Sequence, residues 1–99
     1  MSFDEECYEL LKKVPKGKVT TYKEIAKALN TRAYRAVGNA MSRNPNLIKV
    51  PCHRVVKADG SLGGYAGGTE KKILLLEEEG VEVKKGKIVD FKAILHHFS

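Results

Sequence analysis

A cysteine beside a histidine is the residue pair in this chain best suited to covalent chemistry. Cys52 and His53 lie in the run Pro-Cys-His-Arg-Val-Val at 51–56. A cysteine thiol has a pKa of about 8.5, so an imidazole that accepts its proton makes it a far better nucleophile. Because consecutive side chains rarely point the same way, His53 would act through a sharp turn or a bridging water. A carboxylate on the far ring nitrogen would fix the tautomer. The pair predicts a nucleophilic Cys52, although Cys-His dipeptides also occur by chance.

The remaining cysteine and histidines do not indicate a second reactive centre. Cys7 falls on an apolar helical stripe, so we interpret it as a buried, inert thiol. Two cysteines do not make a disulfide framework. Cys52, His53 and the distant pair His96 and His97 lack the close ligand spacing of a zinc site. We therefore expect no metal and no cofactor.

Composition narrows the class of protein. The 99 residues, 42% of them hydrophobic, predict one domain over 1–99. No apolar run approaches the roughly 20 residues that cross a bilayer, and the acidic start lacks a signal peptide's pattern. We expect no membrane association and a cytoplasmic location, nucleoid-associated if the source is prokaryotic. The net charge of +6 favours a polyanion such as nucleic acid, although a lysine-rich solvated surface would give the same charge.

Three helical patterns precede the Cys-His pair. Residues 2–14 combine a capping-box spacing with one apolar stripe and predict the first helix. Residues 19–22 fit either a short strand or the lead into a second helix, which Thr21 would cap and Asn30 would end. Thr31 would cap a third helix over 32–42.

The second and third helices have the pattern of a helix-turn-helix. Polar residues share one face of the third helix, and apolar residues lie opposite; the polar set is Arg32, Arg35, Asn39 and Arg43, and the apolar set is Ala33, Val37, Ala40 and Met41. This helix is poor in bulk, with Ala36 and Gly38 at its centre. A close backbone approach to a ligand would explain the small residues, and so would tight packing against another helix.

Strand, loop and helix patterns follow the pair. Residues 55–57 predict a strand, 58–60 a turn, and 61–68 a glycine-rich loop around Tyr65 that lacks the ending of a nucleotide phosphate loop. Thr69 would cap a helix over 70–79 that Gly80 ends, with its inward positions at Ile73, Leu74, Leu75 and Leu76. Residues 81–89 predict a hairpin turning at Gly86, and Asp90 would cap a last helix over 91–98. We expect a mainly α fold with a minor β component.

Three glutamates crowd the C-terminus of the predicted helix over 70–79. They are Glu77, Glu78 and Glu79, at the negative end of the helix dipole. Either this is a solvated acidic end, or one glutamate has a cationic or hydrogen-bonding partner.

The motifs resemble one known family when they are taken in order. They are Thr-Tyr-Lys-Glu-Ile-Ala, Arg-Ala-Val-Gly-Asn-Ala-Met, Asn-Pro, Pro-Cys-His-Arg-Val-Val, Gly-Gly-Tyr-Ala-Gly-Gly and Leu-Leu-Glu-Glu-Glu-Gly. With compatible spacing over about 14–80, the chain resembles the C-terminal, DNA-binding and active-site domain of O6-alkylguanine-DNA alkyltransferases. The resemblance implies a winged helix-turn-helix-like domain and DNA repair by direct alkyl transfer. The expected partner is double-stranded DNA that contains O6-alkylguanine, bound by a monomer.

The resemblance also implies roles for five catalytic residues. Cys52 matches the cysteine that takes the alkyl group from O6 of guanine and keeps it as a thioether. His53 matches the histidine that activates this cysteine through a water, and Glu79 the glutamate that orients the histidine. Asn44 matches the asparagine that braces the active-site turn. Tyr65 matches the tyrosine whose hydroxyl meets O6.

Further residues match the base pocket and the DNA-binding surface of the family. Val55, Met41, Tyr65 and Ala66 would line the pocket, with Val55 holding the guanine edge through its backbone. Tyr22 matches the tyrosine that presses on the neighbouring phosphate, and Arg35 the arginine that fills the vacated stack. The other expected DNA-binding residues are Thr21, Ala36, Asn39 and Arg43.

Two departures from the family pattern and two other function classes bear on this expectation. The usual N-terminal domain is absent from the sequence, and Ala66 stands where many members have serine. Alkyltransferase-like proteins share the fold, flip alkylated guanines and flag them for other repair, but they lack the cysteine that Cys52 provides here. A plain helix-turn-helix regulator would leave Cys52, His53, Tyr65 and Glu79 unexplained.

Overall fold

Five short helices surround two small sheets in the computed structural model, which describes residues 1–47 and 49–98. The helices are α1 (Phe3–Leu11), α2 (Tyr22–Ala28), α3 (Tyr34–Ser42), α4 (Thr69–Glu78) and α5 (Phe91–Ile94), and a short 3-10 helix covers Cys52–Arg54. The strands are β1 (Thr20–Thr21), β2 (Val55–Val56), β3 (Val83–Lys84) and β4 (Lys87–Ile88). This is the mainly helical, helix-turn-helix-like fold that the sequence predicts. Ile48, within the predicted lead into the Cys-His segment, lies outside the described residues.

The first helix begins as its capping box predicts. Ser2 Oγ accepts from the Glu5 backbone N–H, and Glu5 Oε1 accepts from that of Ser2. The helix ends at Leu11, three residues earlier than predicted. Tight turn bonds such as Val14 N to Leu11 O replace helical ones there, because the residue before Pro15 disfavours the helical conformation.

Both sequence alternatives for residues 19–22 occur together. Thr21 lies in β1, and its hydroxyl also accepts from the Glu24 backbone N–H at 3.0 Å, which caps α2. Asn30 adopts a left-handed φ of 62° just after α2, as expected of a helix-ending residue. The third helix begins at Tyr34, so the predicted cap at Thr31 is wrong. Thr31 Oγ accepts instead from the N–H of Ala33, outside the helix.

The parallel sheet joins two hydrophobic clusters. Strands β1 and β2 pair in parallel, and Val19 makes a parallel bridge to Leu95 on the other side of β1. Val55 belongs to the cluster under α1, α2 and α3, whereas Val56 belongs to the cluster shared by α4, the β3–β4 hairpin and α5. Because alternate strand residues face opposite sides, two adjacent valines bind both halves together. The Cys-His segment enters β2 at this junction.

The C-terminal half contains the main local differences from the predictions. Helix α4 begins at Thr69 after Gly68, and Thr69 provides no side-chain cap. Leu74 was expected inside but is 58% exposed, whereas Lys72 is fully buried. Three acceptors for its ammonium, described below, make the inward lysine tolerable. Asp90 is the N-cap residue of α5, as predicted, but it has a left-handed φ of 56° and its side chain makes no capping bond.

The end of the chain is extended rather than helical. Helix α5 ends at Ile94, short of the predicted 98, because Leu95 is extended and His96 N donates to Val19 O. The predicted β3–β4 hairpin is present and turns through Lys85 and Gly86, both with positive φ. Among the described residues, no helix is long and apolar enough to span a bilayer.

Candidate active site and nucleic-acid interface

Cys52 begins the 3-10 helix directly after Pro51 and is almost enclosed. Its side chain is 4% exposed and belongs to the cluster under α1, α2 and α3. Burial raises the pKa of Cys52, while a hydrogen bond with Asn44 and the charge of Lys72 act in the opposite direction. The thiol is therefore protonated at rest and needs a base to react.

Asn44 connects the end of α3 to the segment before Cys52. Its Nδ2 donates to Val50 O at 2.8 Å, and its Oδ1 accepts from the Asn46 backbone N–H at 2.9 Å. The side chain is buried, so these bonds fix the turn between the helix and the cysteine. This is the geometry expected of the bracing asparagine, whose role in a reaction stays a prediction.

The carboxylate of Glu79 binds the side chains of both residues that follow Cys52. His53 Nε2 lies 3.0 Å from Glu79 Oε2, and Arg54 donates through Nε to Oε1 at 2.9 Å and through Nη2 to Oε2 at 2.7 Å. Arg54 Nη1 also donates to Val14 O at 2.7 Å. Glu79 is the C-cap residue of α4, so one of the three clustered glutamates does have a cationic partner.

These contacts define the protonation state of His53. Burial lowers its pKa and outweighs the opposing influence of Glu79, so the ring is neutral near neutral pH. Burial would raise the pKa of Glu79, but hydrogen bonds from Arg54 and His53 together lower it, so the carboxylate is ionised. Because a carboxylate only accepts, Nε2 carries the ring hydrogen and Nδ1 keeps a free lone pair. Within the described residues, Nδ1 is buried and has no hydrogen-bond partner.

Lys72, like Arg54, is a site residue that the sequence interpretation missed. Its fully buried ammonium donates to the carbonyl oxygens of Val55, Leu62 and Gly64 at 2.7, 2.5 and 3.0 Å. Burial lowers the pKa of Lys72 to about 8. Three acceptors satisfy all three N–H donors and join β2 to the glycine-rich loop. A lysine on the inward face of a helix was the only available signal, and the apolar run after it hid that signal.

The glycine-rich loop folds the ring of Tyr65 over the site. The ring is half-buried and meets His53 edge to face, with centroids 6.4 Å apart. It lies so close to Gly67 that an added Cβ there would meet the ring at 2.7 Å. Within the described residues, the Tyr65 hydroxyl oxygen is buried and has no hydrogen-bond partner. A buried donor of this kind can bind a ligand oxygen.

Most residues expected to line the base pocket lie close to Cys52. Val55 and Met41 are buried in the same cluster as Cys52, and Tyr65 packs against it, whereas Ala66 is exposed. Surface cavities of about 300, 430 and 320 Å³ are lined by other described residues. Cys52 is 4% exposed, so little of its side chain is accessible in this structure.

The expected DNA-binding residues do not all lie on the surface. Arg35 and Asn39 are exposed on α3, and Ala36 between them is partly exposed. Thr21 is buried and uses its hydroxyl to cap α2, so its expected part in DNA binding stays a prediction. Tyr22 is partly buried, and its hydroxyl faces Gly63 of the glycine-rich loop.

Arg43 is engaged within the chain. Its Nε and Nη2 donate to the two carboxylate oxygens of Asp4, both at 2.8 Å. This ion pair joins the end of α3 to the start of α1. The guanidinium remains largely exposed, so its expected contact with DNA stays a prediction that must compete with Asp4.

Three side chains of the site carry groups suited to nucleophilic chemistry. Among residues 1–47 and 49–98, no group of three or more His, Cys, Asp or Glu could hold a metal ion. Cys52 provides a thiol, His53 a neutral base whose tautomer Glu79 holds, and Tyr65 a buried hydroxyl donor. The arrangement can deprotonate a thiol and donate to a leaving oxygen.

The chain is similar to proteins of known function over most of its length. A methylated-DNA–protein-cysteine methyltransferase of Thermococcus kodakarensis is 57% identical over 81 residues, which are 81% of this chain and 45% of the relative. One from Metallosphaera sedula is 52% identical over 83 residues, or 84% of this chain and 52% of that protein. The chain thus spans about half the length of these curated relatives.

A solved structure matches nearly the whole fold. The crystal structure of S. pombe Atl1 in complex with damaged DNA containing O6-carboxymethylguanine superposes with a TM-score of 0.82 at 32% identity, covering 97% of this chain and 98% of that one. The family described as 6-O-methylguanine DNA methyltransferase, DNA binding domain, matches residues 2–81. The chain belongs to this family.

Proposed function

We propose that this chain repairs double-stranded DNA by transferring an alkyl group, with methyl as the simplest case, from O6 of guanine to Cys52. One observation carries the proposal. A neutral, buried His53 holds Glu79 through Nε2 and keeps Nδ1 free, one residue after a buried thiol. The names and bound DNA of the similar proteins support the same reaction and partner.

The proposed transfer is a single displacement at carbon. His53 Nδ1 takes the Cys52 proton through a bridging water, and the thiolate attacks the alkyl carbon. The new S–C bond forms as the C–O6 bond breaks, and the electron pair of that bond passes to guanine. Tyr65 donates to O6 as negative charge develops there, and guanine takes up one proton to become the normal base. The thioether is not readily hydrolysed, so each molecule acts once.

The hydrogen-bond network supports this division of roles. Glu79 stabilises the imidazolium that forms on His53, and Arg54 keeps Glu79 ionised. Asn44 and Lys72 lower the pKa of Cys52 against the effect of burial. Lys72 also fixes the carbonyl group of Val55, the backbone that we expect at the guanine edge. None of these steps needs a cofactor.

The lesion must leave the duplex to reach Cys52. We propose that α3 enters the minor groove, where its small residues allow close approach, and that Arg35 fills the vacated stack. Tyr22 would press on the adjacent phosphate to rotate the nucleotide. The Tyr22 hydroxyl faces Gly63 of the loop that carries Tyr65. A movement of Tyr22 against the phosphate would therefore also act on that loop.

A lesion-binding module is the second candidate function. Atl1 matches this chain over 98% of its own length, whereas the methyltransferases extend to about twice the length of the match. A domain of this size could therefore bind an alkylated guanine and flag it for other repair. The thiol of Cys52 beside a free Nδ1 of His53 favours transfer over flagging.

Intact-protein mass spectrometry separates the two functions. After incubation with a duplex containing O6-methylguanine, we expect the protein to gain the mass of one methylene group. Cys52→Ser should abolish the gain. Cys7→Ser should retain it, because burial raises the pKa of Cys7 to about 11 and leaves it inert. Tight binding of the lesion without a mass gain would instead establish the flagging function, and the absence of any lesion preference would refute both.

We further propose that residues 1–99 act as one monomeric domain. We also propose a cytoplasmic location, nucleoid-associated if the source is prokaryotic.

A further inference from the structure

Residues 94–98 run from the edge of β1 to α2, and no step of the proposed reaction uses them. Val19 N donates to Ile94 O at 3.0 Å, and His96 N donates to Val19 O at 2.7 Å. Thr20 Oγ1 donates to His96 O at 3.1 Å. These bonds extend the parallel sheet on the side of β1 that β2 does not cover, so the segment satisfies an otherwise open strand edge.

His97 continues this attachment on the other side of Tyr22, the first residue of α2. Its Nδ1 lies 2.8 Å from Oε1 of Glu24, in the first turn of the helix. The sheet bonds attach the chain before Tyr22, at Val19 and Thr20, and the contact with Glu24 attaches it two residues after. The segment therefore holds the backbone on both sides of the tyrosine.

Phe98 attaches the far end of the segment. Its ring is partly buried and packs against the same hydrophobic cluster as Tyr22. It lines two cavities, one of about 300 Å³ beside Ala28 of α2 and one of about 320 Å³ beside Leu10 of α1. The ring thus lies between these two helices, and His96 packs on it edge to face, with ring centroids 4.9 Å apart. The open space on both sides of the ring indicates loose packing, so a single substitution should release the segment.

We propose that residues 94–98 position Tyr22 for its contact with the phosphate of the rotating nucleotide. The inference rests on the proposed function and adds to it a positioning role for Phe98 and His97, which lie beyond the family match over residues 2–81. Extrusion of a base costs unstacking energy, which contacts such as that of Tyr22 must offset. A backbone that is already fixed loses less conformational entropy when the contact forms, so more of the contact energy supports extrusion.

Comparing transfer from a duplex with transfer from a free base separates this role from general stability. In Phe98→Ala, we expect transfer from O6-methylguanine in duplex DNA to slow about tenfold, because the segment loses its attachment. Transfer from free O6-benzylguanine needs no rotation of a nucleotide, so its rate should stay native. Phe91→Ala is the matched control and should keep the native ratio of the two rates, since Phe91 is also partly buried but packs against the second hydrophobic cluster.

The contact between His97 and Glu24 should contribute less. His97→Ala should slow duplex transfer about twofold, because the imidazole is 58% exposed and pairs of this kind contribute little. Glu24→Ala should have a similar effect, and the double variant should be no slower than either single variant. Additive losses in the double variant would remove this pair from the positioning role.

A Tyr22→Ala background tests whether the segment acts through the tyrosine. Phe98→Ala should then slow duplex transfer no further, because the group that it positions is gone. A tenfold effect that persists in this background would overturn the proposal. An equal loss with duplex and free base in Phe98→Ala would show general destabilisation and would overturn it too, as would a native ratio of the two rates.

Base extrusion can also be followed without alkyl transfer. In a Cys52→Ser background, 2-aminopurine placed beside O6-methylguanine in the duplex should gain fluorescence as its neighbour leaves the stack. We expect Phe98→Ala to reduce this gain and Phe91→Ala to keep it. If the native chain transfers no methyl group while this dependence persists, the repair function fails and the positioning role stands. The absence of any fluorescence gain would refute the positioning role together with base extrusion.

Discussion

The two halves of the molecule differ in whether they enclose charged side chains. The helix-turn-helix half, α2 and α3, buries apolar and small residues and leaves the cations Lys23, Lys27 and Arg32 exposed without ion pairs among the described residues. The half built on α4 also has exposed charges, but it encloses the charged groups of Lys72 and Glu79 and satisfies both with hydrogen bonds. Lys72 binds three carbonyl groups, and Glu79 binds Arg54 and His53.

The exposed cations are suited to attracting a polyanion, and the enclosed charges are suited to holding a reactive site. Exposed cations attract a polyanion over a distance and lose strength as salt is added. Buried, hydrogen-bonded charges resist screening and hold side chains in one geometry, which a displacement reaction requires. Cys52 lies where the two halves meet. Its side chain belongs to the hydrophobic cluster of the first half, and the two residues that follow it bind Glu79 of the second half.

Replacing Glu79 with glutamine should produce the largest effect, because the amide has no negative charge and only one oxygen for the donors of His53 and Arg54. In Glu79→Gln we expect the rate of transfer from O6-benzylguanine to fall by about 10²–10³. Glu78→Gln, at the exposed neighbouring position, is the control and should keep the native rate. Stopped mass-spectrometric time courses measure both. A native rate in Glu79→Gln would refute the orienting role.

The same substitution should change stability with a defined pH dependence. Because the pKa of Glu79 is lowered from 4.5, the carboxylate stabilises the fold above that pH and loses its contribution as the pH falls through the folded-state value. The difference in unfolding free energy between the native chain and Glu79→Gln should therefore narrow below pH 4.5. Urea denaturation at a series of pH values measures it. A constant difference would show that Glu79 does not titrate with the network.

Lys72→Met should cause the largest loss of stability. It leaves the carbonyl groups of Val55, Leu62 and Gly64 without their donor, which we expect to cost about 3 kcal/mol of unfolding free energy. Lys71→Met, on the exposed face of the same helix, is the matched control and should change stability little. Equal urea midpoints for the two variants would contradict the buried network.

High pH should sharpen that comparison. Burial lowers the pKa of Lys72 from 10.5 to about 8, so between these values the unfolded chain binds more protons than the folded chain. The Lys72 contribution to folding therefore improves as pH rises through this range, and the stability gap to Lys72→Met should widen. The raised pKa of Cys7 acts in both proteins and cancels in the difference.

Gly67→Ala tests the glycine-rich loop that carries Tyr65, and we expect a smaller effect on the transfer rate than in Glu79→Gln. The added methyl group would meet the Tyr65 ring at 2.7 Å and displace it, so transfer from O6-benzylguanine should slow by about tenfold. Gly64→Ala is the control, since an added Cβ there meets nothing within 4 Å. Equal rates in the two variants would show that the Tyr65 position does not matter.

The Arg43–Asp4 ion pair should give the smallest effect, because both groups are accessible to solvent. Arg43→Gln should lower the thermal midpoint only slightly, and less at high salt. Asp4→Asn frees the guanidinium, so it should tighten binding to duplex DNA if Arg43 contacts the backbone. Anisotropy titration decides this, and unchanged affinity would remove Arg43 from the DNA-binding surface.

Local signals in the sequence predicted much of the fold. The capping box of α1, the cap at Thr21, the left-handed Asn30 and the hairpin turn at Gly86 depend on residues a few positions apart, and all four occur. The side-chain caps predicted at Thr31, Thr69 and Asp90 do not form. Thr31 accepts from Ala33 outside the helix, Thr69 is already the first residue of α4, and Asp90 holds the N-cap position with a left-handed backbone.

The candidate site shows the same division. Cys52, His53 and Glu79 were predicted from the motifs, and the structure brings them together, although their roles remain proposals. The contact of the Tyr65 ring with His53 and the burial of Cys52 and Thr21 could not be predicted from spacing. They depend on which elements meet, and the sequence pattern does not specify that.

By itself, the sequence predicted the family, the candidate nucleophile and the order of helices, and it determined the positive charge that favours a nucleic acid. Only the tertiary structure decided that Lys72 turns inward while Leu74 faces solvent, and that Arg54 and His53 share one carboxylate. The physical reason is that a buried charge is tolerated only where distant backbone and side chains meet to satisfy it. Residues 17, 25 and 26 positions away along the chain provide those partners, beyond the reach of any local pattern.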